Sequence, residues 1–286
     1  MSERIISLSN HGEDYHDRMA ALFGSNKAAV NTAGNENIKR ALAKLRHDPS
    51  HEMRVLAIGS ATGSIDEGII DTLCEKYPKI TYTVIEPVAS GINAFKERVK
   101  SHGGKWSGVT FDFLQQTVED YLDQRDELQK YDIIHAFQSV YHFSDLRNIL
   151  VTLYGMLNTH GIFLIRATGG NWEACYLKIG EYYHDPSYHF IGTQYIKKLC
   201  QSAIVDLTIE SYYREISVNV SDCFNEESID GNKKIDFIFQ VLNFRQNLPP
   251  ERQQIFLDFF KNCCVEKNGE MMFNDVEEDV VIIKSK

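Results

Sequence analysis

Two glycines and one carboxylate are the residues of this 286-residue chain whose types and spacing could do chemistry. Gly59 and Gly63 follow the apolar run Val55-Leu56-Ala57-Ile58, and a helical pattern begins at Ile65. A buried strand that stops at a glycine turn and continues as a helix lets the backbone approach a nucleotide-like ligand, with helix N–H groups turned toward it. The spacing is G-x-x-x-G, with Ala61 where a middle glycine could stand, so the turn alone is a weak signal. Glu86 strengthens it. It lies 27 residues after Gly59 (86 − 59), at the tip of the next apolar run, Ile80 to Ile85. A carboxylate there can hold a ribose diol through two hydrogen bonds. No paired carboxylates and no His/Cys cluster with metal-ligand spacing stand out, so metal catalysis is not expected. A G-x-S-x-G nucleophile turn is also missing.

The elements that must position these residues alternate. Strands are expected at 53–58, 80–85, 109–113, 131–137 and 161–167, with helices at 64–76, 89–102, 117–127 and 144–157 between them. This rhythm predicts an α/β fold with a doubly wound, mostly parallel sheet covered on both faces. Helices from about Asp14 to Phe23 and Asn35 to Leu45 precede it. After Arg166 the rhythm breaks. Helices are expected over 172–183 and 193–202, with a turn at Asp185-Pro186-Ser187 between them, then a long strand over 207–220. Helical patterns at 233–244 and 250–264 come before a closing strand at 280–284. The two late strands bring the sheet to seven. Residues 1–286 then read as one domain, with a helical lid at 1–50, a core at 53–167 and substrate-cap insertions at 168–206 and 221–279.

Composition narrows the function. A formal charge of −10 argues against a nucleic-acid partner, which would need clustered Lys and Arg. No apolar run approaches 18 residues, and the first residues lack the basic start and apolar stretch of a signal peptide, so neither a membrane nor secretion is expected. Six cysteines without C-x-x-C spacing read as reduced thiols of a cytoplasmic protein.

A glycine turn with an acid after the second strand suits both dinucleotide oxidoreductases and class I methyltransferases that use S-adenosylmethionine. The fourth strand, with Asp132 near its start and the exit Gln138-Ser139-Val140-Tyr141-His142-Phe143, and the two late strands favour the latter. At this point the chain resembles the histamine N-methyltransferase family almost end to end. The matching pieces are His11-Gly12 with Tyr15, Ile58-Gly59 with Gly63-Ser64-Ile65-Asp66, Glu86-Pro87, and the run Glu127 to His135 leading to Gln138 and Tyr141. Gly170-Asn171-Trp172, Ser221 to Phe224, Asn243-Phe244 and Phe273-Asn274 follow.

The resemblance implies a Rossmann-like fold and a monomeric, S-adenosylmethionine-dependent N-methyltransferase acting on a small amine or imidazole. It places Gly59, Gly63, Glu86 and Phe137 at the cofactor. Tyr15, Tyr141, His142, Trp172, Tyr176 and Phe244 fall at the amine pocket. Gln138 and Asp275 are the expected catalytic pair, one to hold an acceptor N–H and the other to anchor a distant ammonium or take up positive charge that develops on the ring. The chain departs from the pattern at Lys27 or Ala28, where the family has a substrate-holding acid, and at Asp275, where it has asparagine. Gly91 and Val118 replace a cofactor-site glutamine and serine, Tyr176 a tryptophan and His142 a tyrosine. Methylation of another imidazole, such as that of carnosine, and a non-catalytic binding protein are the alternatives.

Overall fold

The computed structural model describes residues 5–8, 11–24, 27–124, 129–183 and 191–285. Eleven helices are present among them: α1 (Gly12–Phe23), α2 (Lys27–Leu42), α3 (Asp66–Cys74), α4 (Ala89–Ser101), α5 (Val118–Asp123), α6 (Leu146–Gly155), α7 (Gly170–Gly180), α8 (Thr193–Ala203), α9 (Ile229–Phe239), α10 (Phe244–Asn247) and α11 (Pro250–Asn262). The strands are β1 (Met53–Ile58), β2 (Ile80–Ile85), β3 (Val109–Leu114), β4 (Tyr131–Phe137), β5 (Leu157–Thr168), β6 (Thr208–Asn219), β7 (Cys264–Lys267) and β8 (Glu270–Ile283). The turn expected at 185–187 and the last residues of the helix expected at 117–127 lie outside the described residues.

The strands form one sheet in the order β3-β2-β1-β4-β5-β8-β6, with β7 paired to β8 off that path. Strands β1 to β5 are parallel, with Val55 beside both Tyr82 and Ile133, and Ile133 beside Ile162. Every residue of β4 is buried, and β1 is buried except at Arg54. This explains why they read as mostly apolar runs, interrupted only by Arg54 in β1 and by Asp132 and His135 in β4. The sheet therefore has the expected seven strands along its main path and one more, β7, which the sequence reading did not contain.

By compactness the chain divides into two units. The first comprises Met1–Val30, Thr168–Gly192 and Arg214–Glu277, and the second Asn31–Ala167, Thr193–Tyr213 and Glu278–Lys286. The first is built round an aromatic core in which Phe239 stacks on Phe244 and α1 packs on α9. The second holds β1 to β4, with a core of Val55, Ala57, Ile70, Tyr82, Phe95 and Ile133.

The largest departure from expectation is β8. It begins at Glu270, ten residues before the expected Val280 (280 − 270). Its acids, Asp275, Glu277, Glu278 and Asp279, fall at the end of the expected cap insertion, yet all four are buried in this strand. Partners explain three of them. Glu277 pairs with Arg214, Glu278 with Lys197, and Asp279 takes Nε and Nη2 of Arg166 at 2.6 and 3.0 Å. A buried carboxylate survives only where a cation or hydrogen bonds replace water, and strand pattern alone does not reveal a partner that distant in sequence.

Candidate functional site

In the second unit the end of β1 turns through Gly59 at φ +70°, Ala61 at +46° and Gly63 at +70°. The first and last have no room for a side chain. A Cβ on Gly59 would sit 2.5 Å from Cβ of Ser139, and one on Gly63 2.4 Å from the Phe95 ring. Helix α4 presses on the same turn, because a Cβ at Gly91 would lie 3.2 Å from the Ala61 backbone. Glu86, at the tip of β2, is 5% exposed and spans the turn. Its Oε2 accepts the Ala61 N–H at 2.8 Å and its Oε1 the Val88 N–H at 2.9 Å. The carboxylate is thus held rigid with one further lone pair on each oxygen. Gly59 and Gln138 end β1 and β4, neighbours at which the strand order reverses direction, and open α/β sheets bind ligands at that point.

Beneath the turn lies a buried polar network absent from the sequence reading. Oδ1 of Asp66 accepts hydrogen bonds from Ser60 Oγ at 2.9 Å and Tyr82 Oη at 2.8 Å. The Tyr82 hydroxyl also lies 2.9 Å from Nε2 of His135. Burial, then the charge and hydrogen bond of Asp66, hold the Tyr82 phenol well above its ordinary value, so it stays a donor. The available signal was polar residues inside apolar strands, since a buried His or Tyr hydroxyl implies a partner. His135 stacks on Phe137, whose other neighbour is the Arg166 guanidinium, 4.9 Å from the ring centre. Phe137 is buried. Gln138 leaves the strand at φ +52°, a conformation rare for a non-glycine residue and concentrated at functional positions. Tyr141 and His142 follow in a short 3-10 turn, edge to face at 4.6 Å, with Tyr141 half-buried and His142 exposed.

In the first unit Tyr15, Phe23, Trp172 and Phe237 form one aromatic group. Tyr15 meets Phe237 edge-on at 5.0 Å, and Trp172 lies 5.2 Å from Phe237 and 5.9 Å from Phe23. Tyr176 packs one turn further along α7. Phe244 lies in the same buried cluster, fully buried on Phe239 and Phe256, with its N–H bound to Asp236. Asp236 also receives the Asn243 N–H and Arg18 Nε, a buried anchor not foreseen.

Asp275 sits against the start of α7. Gly169, the residue before that helix, gives no side-chain cap, and Oδ1 of Asp275 takes its place by accepting the Asn171 N–H at 3.1 Å. The Val276 N–H reaches the same oxygen at 2.8 Å. Gly170, at φ +66°, permits this approach, since a Cβ there would lie 2.4 Å from Oδ1. The other oxygen, Oδ2, is buried with no hydrogen-bond partner among the described residues. Burial pushes the carboxyl from an ordinary 3.8 up to about 7, opposed by the N–H groups of Val276, Trp172 and Asn171. Lys27 and Ala28 fall in α2, and their side chains lie outside the described set.

The expected residues therefore collect in two places. Gly59, Gly63, Glu86, Phe137, Gln138, Tyr141 and His142 belong to the second unit, while Tyr15, Trp172, Tyr176, Phe244 and Asp275 belong to the first.

Comparison with known proteins places this geometry in context. The profile of the family described as "Methyltransferase domain" matches residues 30–203. Histamine N-methyltransferase A of Xenopus laevis is 28% identical over 238 residues, 80% of each chain. Histamine N-methyltransferase of Bos taurus is 27% identical over 247 residues, 82% of this chain and 83% of that one. Among solved structures, the YcgJ protein from Bacillus subtilis superposes with a TM-score of 0.55 at 15% identity, covering 89% of this chain and 99% of its own. The plantazolicin methyltransferase BpumL in complex with SAH gives 0.52 at 12% identity, with 95% and 90% covered. The fold is that of the class I, Rossmann-like methyltransferases.

Proposed function

This chain belongs to the methyltransferase-domain family, and we propose that it is a cytoplasmic S-adenosylmethionine-dependent N-methyltransferase whose acceptor is a small amine or imidazole of the histamine kind. The observation that carries the reading is Glu86, pinned across the glycine turn by two backbone N–H groups with lone pairs to spare. The donor set suits the cofactor: Glu86 for the ribose hydroxyls, and the turn at Gly59 and Gly63 for close backbone approach. When bound, S-adenosylmethionine supplies a methyl group already activated on a sulfonium, so the chain needs no covalent intermediate of its own.

What remains for the protein is positioning, and alignment of two reactants is where most of the rate gain of such a transfer lies. The accepting nitrogen has to be neutral to use its lone pair. The Gln138 side-chain carbonyl can hold an N–H of the acceptor, and the left-handed backbone at that residue fixes where the side chain starts. Asp275 has the chemistry to meet a cation, because a buried oxygen with no hydrogen-bond partner among the described residues gains most from an ammonium. Trp172 and Tyr15 offer the aromatic faces a cationic amine prefers.

Calorimetry with S-adenosylmethionine tests the cofactor reading. Glu86→Ala removes two charge-assisted hydrogen bonds of about 1.5–3 kcal/mol each, so affinity should fall by ~100-fold or more. Unchanged affinity removes the ribose assignment. Incubation with methyl-labelled cofactor and a panel of biogenic amines and imidazoles, carnosine included, identifies the acceptor. Cofactor binding with no turnover on any of them would mark a binding protein instead of an enzyme.

A further inference from the structure

Three side chains with no part in methyl transfer meet at the amino-terminal ends of β1 and β4, away from the glycine turn. His47 and His51 lie in the connection from α2 to β1, and Asp132 is the second residue of β4. A tight turn at 48–51, closed by the His51 N–H on the Asp48 carbonyl, brings the two imidazoles together. Their rings stack with centres 4.5 Å apart and planes 13° from parallel. Nε2 of His51 lies 3.0 Å from Oδ2 of Asp132, and Nε2 of His47 lies 3.5 Å from Oδ1. The three potential donor atoms fall within 4.8 Å of one another.

Two further observations single the cluster out. Nε2 of His47 is buried and has no hydrogen-bond partner among the described residues. Asp132 is wholly buried, yet its carboxylate is already oriented from outside the cluster: the Arg54 N–H donates to Oδ2 at 2.8 Å and Nδ2 of Asn158 to Oδ1 at 2.7 Å. Such outer hydrogen bonds are what fix the carboxylate ligand of a metal and leave its remaining lone pairs directed inward.

We propose that His47, His51 and Asp132 form a binding site for a divalent cation of the zinc class, held by two imidazole nitrogens and one carboxylate oxygen. Two nitrogens and an oxygen are a ligand set such an ion accepts. The remaining position opens to solvent on the side of His51, whose side chain is 38% exposed. The ion ties the α2–β1 connection to β4 and so acts on stability, not on the transferred methyl group.

The test uses the full chain stripped with chelator. Zinc chloride titrated by calorimetry should saturate at one equivalent and raise the melting temperature. Cobalt(II) should give the visible absorption of a tetrahedral site without sulfur-to-metal charge-transfer bands, which excludes the cysteines as ligands. His51→Ala, chosen because that residue is the most exposed of the three, should weaken zinc binding by at least ~100-fold and abolish the thermal shift. Asn158→Ala, which touches only the outer hydrogen bond, should weaken it by ~10–100-fold. The proposal is overturned by the absence of a saturable equivalent, by thiolate bands, or by binding that survives both His51→Ala and His47→Gln unchanged. In each of those cases His51 and Asp132 are simply hydrogen-bonded neighbours.

Discussion

Asparagine at position 275 would isolate what a buried carboxylate does to this fold. Burial carries the Asp275 carboxyl from 3.8 to about 7, a shift of ~3 units, or ~4 kcal/mol between its two protonation states. The native state then keeps its proton to higher pH than the unfolded chain does. Between about pH 4 and 7 the native state binds more protons, so stability falls as pH rises through that window, and the whole penalty is present above it. Asparagine carries no charge at any pH and keeps an oxygen for the Asn171 and Val276 N–H groups. Relative to wild type, Asp275→Asn should therefore gain ~3 kcal/mol between pH 5 and pH 8. The new amide N–H₂ stands where Oδ2 has no partner among the described residues and costs ~1–3 kcal/mol. That offset does not vary with pH, so the slope is the quantity to measure. Urea unfolding of both proteins at half-unit steps, followed by tryptophan fluorescence, measures it. A flat difference refutes the desolvation argument. So does wild type gaining on the variant as pH rises, since the carboxylate would then be an ordinary ionised cap of α7, favoured by the helix dipole. The same variant bears on function: it should raise KM for a cationic acceptor more than for a neutral one, and equal effects would leave no ammonium at Oδ2.

Two further outcomes test the scaffold. Gly59→Ala forces a side chain into a left-handed backbone and against Ser139, so it should cost about 2–4 kcal/mol and lower the melting temperature by several degrees; an unchanged melt would mean the turn relaxes freely. Arg166→Met strands the buried Asp279 carboxylate and should cost about 3–5 kcal/mol, with Asp279→Leu in the same chain restoring most of it; failure of the double variant to recover would show that Arg166 matters through Phe137 instead.

Much of the scaffold was legible because burial leaves a period in the residues. β1, β2 and β4 fall at the expected bounds, 53–58, 80–85 and 131–137. Their apolar runs are short and end in glycine or polar residues. Glu86 was also visible, since its place depends on a count along the chain and not on a contact. The helix expected at 233–244 is observed as α9 at Ile229–Phe239, with α10 beginning at Phe244. Gln240 and Asn243 adopt left-handed backbone between the two, a break that glycine would have announced and these residues did not.

Alternation, glycine placement and the spacing of one acid are properties of neighbours in the chain, and from them the sequence by itself determined the doubly wound core and the glycine turn with the acid beside it. Tertiary structure alone decided the fate of the charges. It decided that four acids of β8 are buried and which cations meet three of them, and that Asp275 caps a helix with one oxygen while the other meets no partner among the described residues. It also brought His47 and His51 to Asp132, and Tyr82 to Asp66 and His135. The physical reason is that the energy of a charge or a hydrogen bond depends on the partner brought to it through space, and those partners lie 16 to 113 residues away.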